Sequence, residues 1–409
     1  MSTALTDLRG ARGVSAARPD RWLVNPVESG ARAGFGVYLH VPFCAHRCGY
    51  CDFATSDRHA HLMGRYVAAL RTEIDRWADG REWPTVTSIF VGGGTPTLLP
   101  ADDLAGIVAL VRERFGVPSG AEITVEANPE TVDTAYVEAL VDIGVNRMSL
   151  GAQSFASHVL ATLERRHDPD TVPGAVAAAR AAGVGNLNLD LIYGTPGETA
   201  GDWERSLQQV VALDVDHVSA YALTVHDNTA LGRDVADGRL PAPDPDVQRE
   251  RFEAARSILG AAGCEQYELS NWARGASRRS RHNVLYWRHG DYLGLGVGAH
   301  GHLDGRRWWN HRSIERWLEL AEAPASDPDE LVGPVAGSET LTTAERAEER
   351  LLLGLRLRDG LHPHDVPPLG EAQVQAAADV GLLELSCGRF QASDDGWFLL
   401  DDLVQRLIA

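Results

Sequence analysis

Short β-rich runs alternate with helix-like segments through the first half of the chain. Six such runs are mostly apolar, and a helical pattern follows most of them. Strand–helix–strand repeats favour a parallel sheet, and mostly apolar strands are typical of a sheet covered on both faces. The sequence therefore predicts an α/β fold with a partial (β/α)6 barrel. The predicted strands are Gly36–Val41, Thr87–Val91, Glu122–Ala127, Arg147–Ala152, Asn186–Ile192 and His217–Leu223.

Composition shifts divide the chain into four parts. Residues 1–34 lack periodicity and predict a loosely ordered tail, and residues 35–240 contain the barrel. Residues 241–335 form an extension of the barrel that ends in a linker rich in Pro, Asp and Ala. Residues 336–409 contain a threonine-capped amphipathic run and a candidate hairpin, which predict a small winged-helix-like domain.

Charge and composition exclude several classes of protein. The net charge is -19 and the pI is about 5.2, which argues against nucleic acid as a partner. Every basic residue counted as Lys or Arg is an arginine, so Schiff-base lysines and Walker-type P-loops are excluded. No apolar run is long enough to span a bilayer, and the N-terminus lacks a secretory pattern. We therefore expect a cytoplasmic protein.

Three of the five cysteines fall within eight residues, as Cys44-x3-Cys48-x2-Cys51, directly after the first strand. Thiolates hold iron–sulfur clusters or zinc. Three thiolates without a nearby fourth favour a [4Fe–4S] cluster in which one iron has no protein ligand. The alternative is a structural zinc, with His46 or a distant cysteine as fourth ligand. Zinc sites usually use Cys-x2-Cys pairs, and no second pair exists.

Distinctive residues also follow the next strands. They are a Gly-Gly-Gly-Thr run that ends at Thr95, the segment Glu126-Ala-Asn-Pro, Gln153 in Gly-Ala-Gln, and Asp190 within the fifth strand. Glycines permit close approach of a ligand to the backbone, and a carboxylate in an apolar strand needs a partner. The alternatives are a tight turn for the glycines and a helix cap for Glu126. The recurrence of such residues at equivalent strand ends favours a ligand site.

Taken together, these motifs resemble the radical S-adenosylmethionine (SAM) superfamily. Tyr-x-His-x-Pro-Phe-Cys and Asp-Leu-Ile-Tyr-Gly resemble, more narrowly, the oxygen-independent coproporphyrinogen III oxidase-like family, over nearly the whole chain from about Phe35. The oxidases carry a further cysteine where this chain has Phe53. The run His282-Asn-Val-Leu-Tyr-Trp287 instead matches the haem-chaperone (HemW) branch. One departure is His226, where that branch usually has glutamate.

The resemblance implies a cluster on Cys44, Cys48 and Cys51, with SAM on the fourth iron. Arg165 suits the SAM carboxylate, and Asp190 suits the ribose hydroxyls. Tyr38 and Tyr50 would pack against SAM or shield the cluster. The implied cofactor-binding residues are Tyr38, Tyr50, Gly93, Gly94, Thr95, Glu126, Gln153, Arg165 and Asp190.

Haem is the second ligand that the resemblance implies. His282 is a candidate axial ligand, with Asn283 beside it and Tyr286 and Trp287 stacked on the macrocycle. The alternative is a core corner with satisfied hydrogen bonds. Two further runs are singled out: residues 294–300, interpreted as a tight turn near the pocket, and residues 306–309, interpreted as a surface loop rather than a haem contact.

The implied function is to bind haem and deliver it to respiratory haem proteins, without coproporphyrinogen oxidase activity. One alternative is an enzyme, a radical-SAM oxidoreductase such as the oxygen-independent coproporphyrinogen III dehydrogenase of porphyrin biosynthesis. Another is a binding module built on a structural zinc. The resemblance leaves open dimerisation, peripheral membrane contact and the identity of the recipient proteins.

Overall fold

The computed structural model describes residues 34–324, 333–366, 369–386 and 388–408. The tail predicted over residues 1–34 lies outside these ranges except for Gly34, as do residues 325–332 of the predicted linker. The domain boundaries drawn from the sequence stay predictions. None of the helices within the described ranges is long and apolar enough to cross a membrane.

Six parallel strands form the centre of the fold, as the repeat pattern predicts. Each hydrogen-bonds to the next in chain order, so their carboxyl ends meet at one edge. The confirmed α/β architecture thus places the loops after the strands side by side. The strands are β1 Phe35–Val41, β2 Val86–Gly93, β3 Glu122–Ala127, β4 Arg147–Gln153, β5 Asn186–Tyr193 and β6 His217–Ala222.

Helices follow the strands and cover the outside of the sheet with apolar side chains. Several begin at a capping side chain; α6, for example, has a capping box in which Thr199 and Asp202 bond reciprocally. The helices are α1 Met63–Ala78, α2 Ala101–Arg114, α3 Thr134–Asp142, α4 Ser157–Thr162, α5 Thr171–Ala181, α6 Ala200–Ala212, α7 Ala230–Ala236 and α8 Pro245–Ala261. Short 3-10 helices lie at Ala60–Leu62, Pro96–Leu98 and Pro129–Thr131.

The inner face of the six strands is polar, whereas the outer face is apolar. In β4, Met148 and Leu150 are fully buried under the helices, and Ser149 points the other way. The Ser149 hydroxyl donates to Asp190 and accepts from Asn188 on the neighbouring strand, both at 2.7 Å. The strands therefore alternate, although their sequences are mostly apolar, because most of their polar residues face the barrel interior.

An extension widens the sheet on both sides of the parallel core. Within the described residues the sheet has twelve strands, in the order β12-β11-β10-β9-β1-β2-β3-β4-β5-β6-β8-β7. β9 is parallel to β1, and the strands beyond it are antiparallel. The added elements are β7 Glu265–Glu268, β8 Asn271–Ala273, a 3-10 helix at Ala276–Arg278, α9 Arg281–Trp287, β9 Asp291–Leu295, β10 His300–Leu303, β11 Arg306–Asn310, α10 Ile314–Glu322 and β12 Val335–Thr340.

The C-terminal segment packs against the extension and α8 through ion pairs. Glu349 meets His289 and Arg307, at 3.2 and 2.8 Å, and Asp395 meets Arg249 at 2.6 Å. Helices followed by a hairpin agree with the expected order, and the winged-helix assignment itself stays a prediction. The elements are α11 Thr343–Gly354, a 3-10 helix at Pro363–Asp365, α12 Glu371–Asp379, β13 Leu383–Ser386, β14 Arg389–Ala392, α13 Asp394–Phe398 and α14 Leu400–Ile408.

The surface-loop interpretation of residues 306–309 is wrong, because this run is strand β11. Trp308 is fully buried and its ring stacks on Trp77 of α1, with centroids 5.3 Å apart. Trp309 points to the opposite face and is half-buried. Alternation along one strand thus gives two adjacent tryptophans different roles.

We expect Trp308→Ala to lower the free energy of unfolding by about 3–5 kcal/mol, because it removes a large side chain from a closed core. Trp309→Ala is the matched control, and its effect should be less than half as large. Chemical denaturation of the protein without cofactors measures both. Equal losses for the two variants would contradict the assigned faces.

Candidate functional site

The loop that carries Cys44, Cys48 and Cys51 leaves β1 at the carboxyl edge of the sheet. It is closed by two backbone hydrogen bonds, from Cys44 N–H to the Ser56 carbonyl (3.0 Å) and from Ser56 N–H to the Pro42 carbonyl (2.7 Å). All three cysteines are free thiols and half-buried. The three-cysteine motif therefore forms a closed loop at the mouth of the barrel.

The three thiols lie close enough to act on one another. Burial, together with the neighbouring thiols Cys51 and Cys48, raises the pKa of Cys44 to about 12. As thiolates the three side chains would repel one another, and the positive charge of an iron–sulfur core would offset this repulsion. Binding of the core would release the thiol protons. Across the described residues, no three His, Cys, Asp or Glu side chains come together as a site for a single metal ion.

The Gly-Gly-Gly-Thr turn after β2 packs directly against the cysteine loop. Gly94 N–H donates to the Val41 carbonyl and Thr95 N–H to the Phe43 carbonyl, both at 2.7 Å. A Cβ atom on Gly94 would lie 2.5 Å from the Phe43 oxygen. Gly93 has a φ of +115°, which disfavours residues with a side chain. The glycines are therefore needed for contact between the two loops.

Arg165, which follows α4, joins three strand ends. Its Nη2 donates to the Asn128 amide oxygen (2.8 Å) and to the Gly151 carbonyl (2.7 Å). Its Nη1 lies 3.7 Å from the Cys48 sulfur. Asn128 in turn donates to the Thr95 hydroxyl at 3.2 Å. Asn128 was missing from the predicted site residues, and the signal that could have found it was the Glu-x-Asn-Pro motif.

Two carboxyl groups, those of Glu126 and Asp190, face the interior beneath these loops. Burial, together with the charge of Asp190, raises the pKa of Glu126 to about 7. Burial also raises the pKa of Asp190, against hydrogen bonds from Ser149 and Asn188. Gln153 ends β4 with a left-handed φ of 60°. These polar groups can receive an amine or the hydroxyls of a ligand.

Two tyrosines flank the mouth, and a histidine that sequence reasoning missed fixes one of them. The His40 ring bonds to the Tyr38 hydroxyl (2.9 Å) and to the Ala54 carbonyl in the cysteine loop (3.0 Å). Tyr50 packs against a small apolar cluster that includes Leu163 and Leu231. His40 thus couples Tyr38 to the loop, and its place two residues after Tyr38 on the same strand face was the available signal.

The structure places the His-Asn-x-x-Tyr-Trp run on α9, away from the cysteine loop. His282 is fully buried, with Nδ1 bonded to Ser88 and Nε2 to the Tyr286 hydroxyl, both at 2.8 Å. Asn283 is also buried. Trp287 packs against α11. The Arg356 guanidinium lies 5.1 Å from the centroid of the Trp287 ring. The four residues do not converge on one open surface, and their contact with haem stays a prediction.

Phe53, which differs from the oxidases, and His226, which departs from the haem-chaperone branch, both lie at the cysteine loop. Phe53 is 39% exposed, an unusual position for a large apolar side chain. The His226 ring lies 3.8 Å from the carboxylate of Asp52, which directly follows Cys51. Phe53 therefore belongs to the cysteine loop, and His226 lies next to it.

The radical SAM superfamily model matches residues 38–210. The structure of the Escherichia coli coproporphyrinogen III oxidase HemN shares the fold, with a TM-score of 0.76 and 23% identity over 92% of this chain and 90% of that one. The fold and the cysteine loop thus define a radical SAM protein.

Similar proteins show which family of radical SAM proteins the chain belongs to. The heme chaperone HemW of Mycobacterium tuberculosis H37Rv is 43% identical over 91% of this chain and 95% of its own length. The heme chaperone HemW of Bacillus subtilis is 35% identical over 80% and 84%. The chain belongs to the HemW family.

We expect Cys44→Ala, Cys48→Ala and Cys51→Ala each to lose most of the bound iron and sulfide after anaerobic reconstitution. Cys264→Ala is the control, because that thiol lies buried in the core, at 3% exposure. Iron, sulfide and zinc are quantified per chain. Zinc without sulfide in the unaltered protein would contradict the cluster.

The raised pKa of Glu126 predicts a pH effect on stability. The folded state keeps this proton to about pH 7, whereas the unfolded chain loses it near 4.5, so folding stability falls as pH rises between these values. Glu126→Gln should reduce this fall, by up to about 3 kcal/mol. Urea denaturation at pH 5 and pH 7 measures it. Glu130→Gln, at an exposed position, is the control and should keep the slope of the unaltered protein.

Proposed function

We propose that this chain is a haem chaperone that binds haem together with a SAM-ligated [4Fe–4S] cluster and delivers haem to respiratory haem proteins. The observation that carries the proposal is the closed three-thiol loop, which Arg165 and the glycine turn hold at the barrel mouth, in a chain 43% identical to a heme chaperone HemW. We infer that it acts in the cytoplasm, where thiols stay reduced.

Cys44, Cys48 and Cys51 would bind three irons and leave the fourth for SAM. When bound, the cluster supplies one electron to SAM, and the radical chemistry belongs to the cofactors. The chain's own part is electrostatic. The Arg165 guanidinium lies beside the Cys48 sulfur and would offset thiolate charge. Its buried Nε has no hydrogen-bond partner among the described residues and is free to donate to a carboxylate.

The remaining predicted residues would hold SAM by its polar groups. Backbone groups of Gly93, Gly94 and Thr95 line one side, and Glu126 suits the amino group. Asp190 suits ribose hydroxyls, because a carboxylate accepts hydrogen bonds, as that of Asp190 does from Ser149 and Asn188. Tyr38, Tyr50 and Gln153 would enclose the site and limit the access of water and oxygen to the cluster.

The cysteine loop favours a chaperone over an oxidase. Phe53 stands where the oxidases carry a further cysteine, so an apolar and partly exposed ring replaces a thiol beside the cluster loop. We therefore do not expect coproporphyrinogen to be consumed. The polar barrel interior and the buried carboxylates would equally suit a radical-SAM oxidoreductase, which is the second candidate.

The haem contacts proposed for His282, Asn283, Tyr286 and Trp287 would need rearrangement. His282 would have to give up its bond to Ser88 or to Tyr286 before a ring nitrogen could reach iron. Dimerisation and peripheral membrane contact remain proposals that come from the family resemblance.

Reconstituted protein loaded with haem should transfer it to a haem-depleted respiratory protein and restore the acceptor's absorption spectrum. Cys48→Ala tests whether this delivery depends on the cluster, because cluster loss should lower the rate of transfer at least several-fold. Parallel incubation with coproporphyrinogen, SAM and a low-potential reductant should give no decarboxylated product. Stoichiometric product without haem transfer would instead favour the oxidoreductase.

A further inference from the structure

His300 lies on the same face of the sheet as the residues of the barrel mouth. Tyr292 pairs with Gly36 of β1, His302 pairs with Tyr292, and His300 is two residues before His302. Since paired residues share a face and side chains alternate along a strand, His300 faces the side that carries Tyr38 and His40. It begins β10 directly after the glycine-rich turn that follows β9, at the carboxyl edge of the sheet.

The His300 ring has no hydrogen bond to any other described residue, and it is half-buried. His40 and His282, by contrast, each use both ring nitrogens. A histidine beside the mouth therefore keeps its nitrogens available to a ligand. Burial, together with Arg312 and Arg307, lowers the pKa of His300 to about 4, so its ring is neutral at neutral pH.

The neighbours of His300 suit a flat, anionic molecule. Its partner across the strands is Trp309, whose ring centroid lies 6.2 Å away at an interplanar angle of 30°. Arg312 is exposed, and its guanidinium donates to the carbonyl of Asp52 in the cysteine loop. Arg307 already pairs with Glu339 and Glu349. Arg312 therefore supplies the accessible cation, and Trp309 the aromatic wall.

We propose that His300 is the protein ligand to haem iron, with Trp309 against the macrocycle and Arg312 paired with a propionate. This assignment rests on the proposed haem-binding function and names its site. Coordination needs only the lone pair of a neutral ring nitrogen, so no proton is released and no electron is transferred. It places haem beside the cysteine loop, because Arg312 contacts that loop directly.

The test is a titration of ferric haem into the anaerobically reconstituted full chain, followed by absorption and electron paramagnetic resonance spectra. His300→Ala should weaken haem binding at least tenfold and remove the signature of imidazole ligation. Added imidazole should restore that signature, since the deleted side chain leaves space for it. Arg312→Ala should weaken binding several-fold without changing the iron ligand.

His311→Ala is the matched control, because this half-buried histidine follows the neighbouring strand β11 and should leave spectrum and affinity unchanged. Iron, sulfide and SAM binding are measured in every variant to exclude misfolding. If the unaltered protein binds no haem, the proposed function fails. If it binds haem and His300→Ala keeps the imidazole signature, or if His282→Ala or His311→Ala alone loses it, the function stands and this assignment is overturned.

Discussion

The site depends on the contact between the cysteine loop and the glycine turn after β2. Two backbone hydrogen bonds, from Gly94 and Thr95 to the carbonyls of Val41 and Phe43, fix the start of the cysteine loop against the sheet. A side chain on Gly94 would overlap this contact. A cysteine loop that is held by backbone atoms keeps its thiols at the mouth before any cofactor arrives, which lowers the entropic cost of ordering them.

Around this contact the protein buries several polar groups. Arg165, Asn128 and Thr95 form a chain across three strand ends, and Glu126 and Asp190 lie beneath it. Burial of such groups is costly unless they are hydrogen-bonded or meet a ligand. Burial raises the pKa of both Glu126 and Asp190, because it destabilises their charged forms. A cationic or hydroxyl-bearing ligand would offset this cost, which accounts for their place in the interior.

Much of the fold, and the place of the cysteine loop at the carboxyl edge of the sheet, could be predicted from the sequence. The six strands and the cysteine motif have local signals, namely alternating elements and fixed spacing. The polar inner face was harder to predict, because small residues such as Ser149 look unremarkable in an apolar run. The burial of Trp308 and the satisfied hydrogen bonds of His282 depend on partners far away in sequence, Trp77 and Ser88. No local pattern contains such pairings, so the interpretation of residues 306–309 was wrong.

The assignments proposed above put the cluster and haem at the same mouth of the barrel. Spin relaxation tests this placement: the relaxation rate of the reduced cluster signal is measured in the chain loaded with ferrous haem, whose high-spin state is verified by its absorption spectrum, and in the same chain without haem. We expect faster relaxation of the cluster signal in the haem-loaded chain, because dipolar coupling requires the two centres to be close. Identical relaxation in the two preparations would place haem elsewhere and rule out a shared mouth.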